Sequence, residues 1–177
     1  RVGESLIPMT ALIGRELVGG SYIQADETPV DVQMHDRRGK NHQAYLWQYS
    51  RPGGSAVFDF RLGRGRAGPR EFLGRFEGIL QTDGYIAYDQ VGGPKMVHVC
   101  CWAHARRKFH EAVKLSPQDK VAIGLVARID ELFAIDARAR AENFDHAARH
   151  ALRQQQARPL LELLKPRIEA VGAQVLP

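Results

Sequence analysis

Asp83 and Asp26 are the two acids placed where chemistry can happen. Residues 78–88, GILQTDGYIAY, open with the short apolar run Ile79-Leu80, turn polar, and end in Asp83-Gly84, a pair that favours a turn and cannot continue a strand. The stretch reads as a buried strand whose carboxyl end presents one carboxylate, a position suited to holding a metal or a substrate at a sheet edge. On its own an Asp-Gly pair is first of all a turn former. A second acid changes the reading: in residues 22–29, YIQADETP, Asp26 lies inside a strand-like run, where a charge is out of place unless that face needs it. Its neighbour Glu27 points to the opposite face of the same strand and reads as structural.

The elements that must position these acids follow from pattern. Leu6, Met9, Leu12, Ile13 and Leu17 recur at helical spacing and Gly19-Gly20 stops the segment. Strands are expected over residues 22–33, 44–49 and 56–62, joined by the polar turn Asp36-Arg37-Arg38-Gly39-Lys40 and by Arg51-Pro52-Gly53-Gly54-Ser55, which makes an antiparallel meander. A helix over 68–76, with Pro69 in its first turn, leads to the strand before Asp83. A short helix over 86–90 leads to a fifth, apolar strand over 95–101. Only helices follow, over 102–114, 117 to about 142, 145–156 and 159–171. Strands linked by helices run parallel, so strands four and five add beside the meander. The expectation is an α/β protein with a ribonuclease H-like mixed five-stranded sheet, divided as a leading helix (1–20), a catalytic core (21–115) and a helical insertion (116–177).

Composition bounds the class. The 177 residues are 44% hydrophobic and 25% charged, ordinary for a folded globular protein, and 25 basic against 20 acidic residues give a net charge of +5. That excess suits a polyanionic partner and is met equally by a solvated positive face. No apolar run approaches the ~20 residues that cross a bilayer and no signal pattern opens the chain, so a cytoplasmic protein without membrane contact is expected. The two cysteines, Cys100 and Cys101, are sequence neighbours, which leaves no disulfide framework.

In such a sheet the first strand is central and the fourth lies parallel beside it, so Asp26 and Asp83 converge. Two carboxylates on adjacent strands make a hard-oxygen site for Mg²⁺ or Mn²⁺, and paired ions of this kind clamp the attacking and leaving oxygens of a phosphodiester. The strings ADETPV (25–30), LQTDGYIAY (80–88) and CWAHARRKF (101–109), in that order, resemble the core of transposases of the insertion sequence 66 family, DNA-cutting and joining enzymes of the DDE type on a ribonuclease H-like fold. The likeness covers nearly the whole chain. It implies DNA transposition, with transposon ends and target DNA as partners and self-association in a transposition complex. It also implies that Asp26 and Asp83 are the first two catalytic acids and metal ligands. The family's third acid, a glutamate in a later segment of paired asparagines followed by Glu-Arg, has no counterpart here, nor have the family's amino-terminal DNA-binding and zinc-binding parts. A central fragment with an incomplete site, inactive alone, is expected.

Other polar residues divide by position. His104, Arg106, Arg107 and Lys108 begin the helix after the fifth strand; its amino terminus is expected at the edge that carries Asp83, where helix dipole and cations attract phosphate. Arg61, Arg64, Arg66 and Arg70, interleaved with glycines, read either as a cationic loop that tracks a DNA backbone or as a mobile solvent loop. Glu71 sits where ribonucleases H of this architecture carry an acid, yet reads as a solvated helix position; Glu111, Glu131, Glu142, Glu162 and Glu169 read as helix surface. Cys101 and His104 are half a zinc site at most, since four ligands are wanted and the chain has only two thiols. Two other functions stand beside the first: a stand-alone nuclease completed by Glu71, and a catalytically silent DNA-binding or assembly module.

Overall fold

A computed structural model describes residues 2–34 and 41–175; the polar turn expected at 36–40 lies outside them. The chain forms two compact units, Arg1–Cys101 and Trp102–Pro177.

The first unit is a five-stranded sheet in the order β3-β2-β1-β4-β5, built from β1 (Tyr22–Val32), β2 (His42–Ser50), β3 (Ala56–Arg61), β4 (Ile79–Thr82) and β5 (Val97–Cys100). β1 pairs antiparallel with β2, and β2 with β3. β4 joins β1 in parallel through Tyr22–Ile79, Ile23–Leu80 and Gln24–Gln81, and β5 joins β4 in the same sense. This is the mixed, ribonuclease H-like sheet that the pattern implied. Its two shortest strands, β4 and β5, are the parallel ones, since each must be brought back by a connection rather than a turn.

One sheet face is the core. Ile23, Ala25, Trp47, Tyr49, Val57 and Leu80 point into it and meet Leu17 of α1 (Val2–Val18), Leu73 of α2 (Ala67–Leu73), Phe76 and the short 3₁₀ turn Ile86–Tyr88. Trp47 meets Tyr88 edge-on at 5.6 Å, the geometry that ring quadrupoles favour, while Tyr49 stacks nearly parallel on Phe72 at 3.7 Å. α2 stops at Leu73, short of the expected Phe76, because Gly74 takes φ +52° and turns the chain. The opposite face is polar along β1, with Tyr22, Gln24 and Asp26, and carries the exposed Phe58 and Phe60 on the edge strand β3.

The second unit is helical: α3 (Trp102–Leu115), α4 (Lys120–Ala141), α5 (His146–Leu152) and α6 (Arg158–Val175). Asp119 caps α4 through Val121 N and Ala122 N, and Asp145 caps α5 through Ala148 N. The sequence expectation of a break before Pro159 is corrected. The helix runs on from α5 into α6 through one π-helical turn, Arg153–Ala157, in which Arg158 N–H reaches back to Arg153 O. Proline has no N–H to give and its ring crowds the preceding turn, so the widened turn absorbs it without ending the helix.

Candidate active site

Asp26 occupies the middle of β1, the central strand, and its side chain lies on the open face while Ala25 and Glu27 on either side are buried. The β1–β4 register decides where its partner falls. Gln24 and Gln81 are paired and their side chains touch, Gln24 Nε2 donating to Gln81 Oε1 at 2.9 Å. Asp26 stands two residues beyond Gln24, and Asp83 two beyond Gln81. The register therefore brings the main chain of both acids toward the place where β4 ends, Asp26 still within β1 and Asp83 in the bend just after Thr82. Tyr22 completes the polar row: its hydroxyl donates to Gln81 Oε1 and receives Gln24 Nε2 at 3.3 Å.

Local bonds fix the turn that carries Asp83. Gly84 takes φ +90°, a conformation that favours glycine, and its N–H donates to Thr82 Oγ1 at 3.0 Å. Asp83 Oδ1 accepts from Tyr85 N at 2.8 Å, so the acid is also the turn former that its sequence suggested. Asp26 Oδ1 accepts from Glu27 N at 3.0 Å. Thr82, 2% exposed, points to the other side and meets His98 Nε2 at 2.7 Å, while its carbonyl holds Cys101 N at 2.8 Å.

Behind this open face Glu27 is buried, its side chain 1% exposed. Both of its oxygens are engaged: Oε1 receives Arg64 Nε at 2.9 Å and Nη2 at 2.5 Å, and Oε2 receives the Tyr88 hydroxyl at 2.9 Å. Burial pushes its carboxyl above the ordinary carboxylate range despite Arg64 and Tyr88, and burial likewise raises the Tyr88 phenol. Glu27 thus lies on the face opposite Asp26, as the strand alternation implied. Arg64 also lies over the Tyr85 ring at 3.8 Å, and its carbonyl accepts from the Tyr85 hydroxyl at 3.1 Å.

The stretch carrying Arg61, Arg64 and Arg66 is therefore anchored rather than loose. Arg61 pairs with Asp59 and with Glu71, each at 2.8 Å, and Arg66 Nη2 donates to Ile86 O at 3.1 Å. Arg70 remains exposed. Glu71 spends its carboxylate on Arg61 with its side chain 69% exposed, the solvated helix position that the sequence indicated.

His104, Arg106, Arg107 and Lys108 lie in the first two turns of α3, in the second unit. Arg106 makes a two-pronged pair with Asp130 of α4, Nε to Oδ1 at 2.5 Å and Nη2 to Oδ2 at 3.0 Å. Arg107 and Lys108 are exposed, and Lys108 comes within 3.7 Å of Glu111. Among the described residues no group of three or more His, Cys, Asp or Glu is placed to hold a metal ion. The carboxylates of Asp26 and Asp83 are hard oxygen donors, a chemistry that fits Mg²⁺ or Mn²⁺.

The residues that sequence reasoning missed are Tyr22, Gln24 and Gln81. The signal was present: Tyr22-x-Gln24-x-Asp26 is a polar row on a strand read as central, where both faces are ordinarily apolar.

Comparison with known proteins places the chain in a family. The chain is 31% identical over 161 residues to the uncharacterized protein y4qI of Sinorhizobium fredii (strain NBRC 101917 / NGR234), covering 82% of this chain and 29% of that one. It is 28% identical over 182 residues to the uncharacterized protein y4hP of the same strain, covering 89% of this chain and 32% of that one. The chain thus spans about a third or less of the length of these curated relatives. No solved structure gives a significant match. The model described as "Transposase IS66 family" matches residues 1–177, the whole chain, and the chain belongs to that family.

Proposed function

We propose that this chain carries part of the catalytic centre of a DNA transposase, in which Asp26 and Asp83 hold divalent metal for DNA strand cleavage and joining. The observation that supports the reading is the parallel β1–β4 register, in which Gln24 pairs with Gln81 and each acid follows its glutamine by two residues, in a chain of a transposase family. Mg²⁺ or Mn²⁺ bound there would supply charge stabilisation to the attacking and leaving oxygens of a phosphodiester. The protein's own part is to present the carboxylates, keep Glu27 neutralised behind them, and hold the Asp83 turn. A third carboxylate is expected from elsewhere in the full-length enzyme, which would act in the cytoplasm, self-associated on transposon ends and target DNA.

Among the cations, Arg107 is the better candidate for a DNA phosphate, because its side chain is exposed whereas Arg106 is committed to Asp130. Calorimetry with Mn²⁺ tests the metal site: weak binding by the wild type, lost in Asp83→Asn without loss of fold, is expected. No binding at millimolar Mn²⁺ would remove the reading. Duplex DNA should bind weakly and without sequence preference, and Arg107→Ala should lower affinity for all sequences alike, reducing the salt slope by about one. Cleavage by these residues alone with Mg²⁺ would instead favour a self-sufficient nuclease, with Glu71 the first residue to replace.

A further inference from the structure

The two acids are joined by a second route besides the sheet, and we propose that Glu27, Arg64 and Tyr85 act as positioning residues that fix the carboxylates of Asp26 and Asp83 relative to one another. The inference rests on the metal-site reading above for its purpose, and on geometry for its substance. Each acid has one oxygen held by the main-chain N–H of a residue in this trio or next to it in bonding: Glu27 N holds Asp26 Oδ1 at 3.0 Å, and Tyr85 N holds Asp83 Oδ1 at 2.8 Å. Arg64 then ties the side chains of those same two residues together. Its guanidinium forks onto Glu27 Oε1 and lies flat over the Tyr85 ring at 3.8 Å, and Tyr85 returns a bond from its hydroxyl to Arg64 O at 3.1 Å.

The link therefore runs Asp26, Glu27, Arg64, Tyr85, Asp83. It passes through a buried carboxylate on the core side of β1 that Tyr88 also holds at 2.9 Å, while Asp26 stands on the opposite face of that strand. Such an arrangement needs a cation that is planar and forked at once. Guanidinium meets both demands, whereas a lysine ammonium would keep the charge beside Glu27 and give up the flat stacking and the fork. The glycines at 63 and 65 on either side of Arg64 have no neighbouring atoms within 4 Å of where a Cβ would stand, so the position of Arg64 is set by these bonds rather than by packing of its flanks. Outer-shell partners of this kind govern how well first-shell ligands are presented, and losing one costs roughly 10- to 100-fold in metal affinity.

The test uses the 177-residue chain with Mn²⁺ alone as probe, comparing wild type, Arg64→Lys, Tyr85→Leu and Asp83→Asn by calorimetry. Amide hydrogen exchange at Tyr85 and Glu27 is followed in parallel without metal. Arg64→Lys keeps the buried Glu27 paired and Tyr85→Leu keeps apolar bulk, so both are expected to fold. Positioning predicts Mn²⁺ affinity reduced about tenfold or more in each, with Tyr85 amide exchange accelerated about tenfold in Arg64→Lys and exchange of the β1–β2 ladder unchanged. Wild-type affinity in both variants, with wild-type Tyr85 exchange in Arg64→Lys, would overturn the inference while leaving the metal site in place. If the wild type binds no Mn²⁺, the metal reading fails and the exchange arm decides alone: faster Tyr85 exchange in Arg64→Lys upholds the positioning role, and unchanged exchange overturns it.

Discussion

Asp136 and Glu27 each take two bonds from a single arginine, yet their carboxyl groups are driven in opposite directions. Arg153 forks onto Asp136, Nε to Oδ1 at 2.9 Å and Nη2 to Oδ2 at 2.8 Å, and holds its carboxyl below the ordinary value of 3.8. At Glu27 the loss of water outweighs what Arg64 and Tyr88 return. A lowered carboxyl stabilises the fold fully above the unfolded-state value of 3.8 and loses that contribution as pH falls through the lower folded-state value. Arg153→Ala should therefore melt slightly below wild type at pH 6, by about 0.5 kcal/mol or less for so exposed a pair, and the two should converge in acid. A gap that stays constant down to pH 2 would assign the effect to packing of the arginine stem. At this scale the sequence disclosed Asp26 and Asp83 through their setting, one in a strand and one at a strand end. It hid the fate of Arg64 and Arg106, because their partners, Glu27 and Asp130, lie 37 and 24 residues away and no local pattern joins them.

Elements were easier to read than their ends. The five strands and their order followed from period and turn residues, whereas α2, α4 and the α5–α6 junction moved by a few residues under local chemistry: Gly74 ended one, Asp119 began another, and the π-helical turn carried a helix through Pro159. One strand end has a sharper constraint. Gly78 precedes β4, where Ile79 N bonds Ser21 O at 2.9 Å and Val97 N bonds Gly78 O at 3.0 Å. A Cβ at Gly78 would lie 2.5 Å from Ser21 O and 2.5 Å from the ring of Phe76, which is 1% exposed and has nowhere to move. Gly78→Ala should cost about 1–3 kcal/mol, the range for forcing atoms into a filled site. It should also weaken Mn²⁺ binding beyond what the lost stability explains, since it pushes apart the strands that carry the acids. Denaturant titration paired with calorimetry checks this; a stable variant with wild-type Mn²⁺ affinity would mean that the strand start does not control the acid spacing.

Over the whole molecule, each unit draws on a contiguous stretch of chain, and the sequence holds two tryptophans, Trp47 and Trp102, one in each. Trp47 is fully buried in the sheet core, so Trp102→Phe leaves a fluorophore that reports the first unit alone. The helices of the second unit form through bonds local in sequence, whereas the sheet must bring Gln24 to Gln81 across 57 residues before its parallel pairing can form. Chains dominated by distant pairings fold more slowly than helical ones, because loop closure precedes its reward. In stopped-flow refolding of Trp102→Phe, far-UV circular dichroism should recover in a faster phase and Trp47 fluorescence in a slower one; identical rates would mean that the units fold as one. The parallel strand pair has a consequence in time as well as in space. During synthesis β1 emerges long before β4, so Asp26 waits while β2 and β3 assemble beside it, and Asp83 can join it only when the parallel β1–β4 pairing closes.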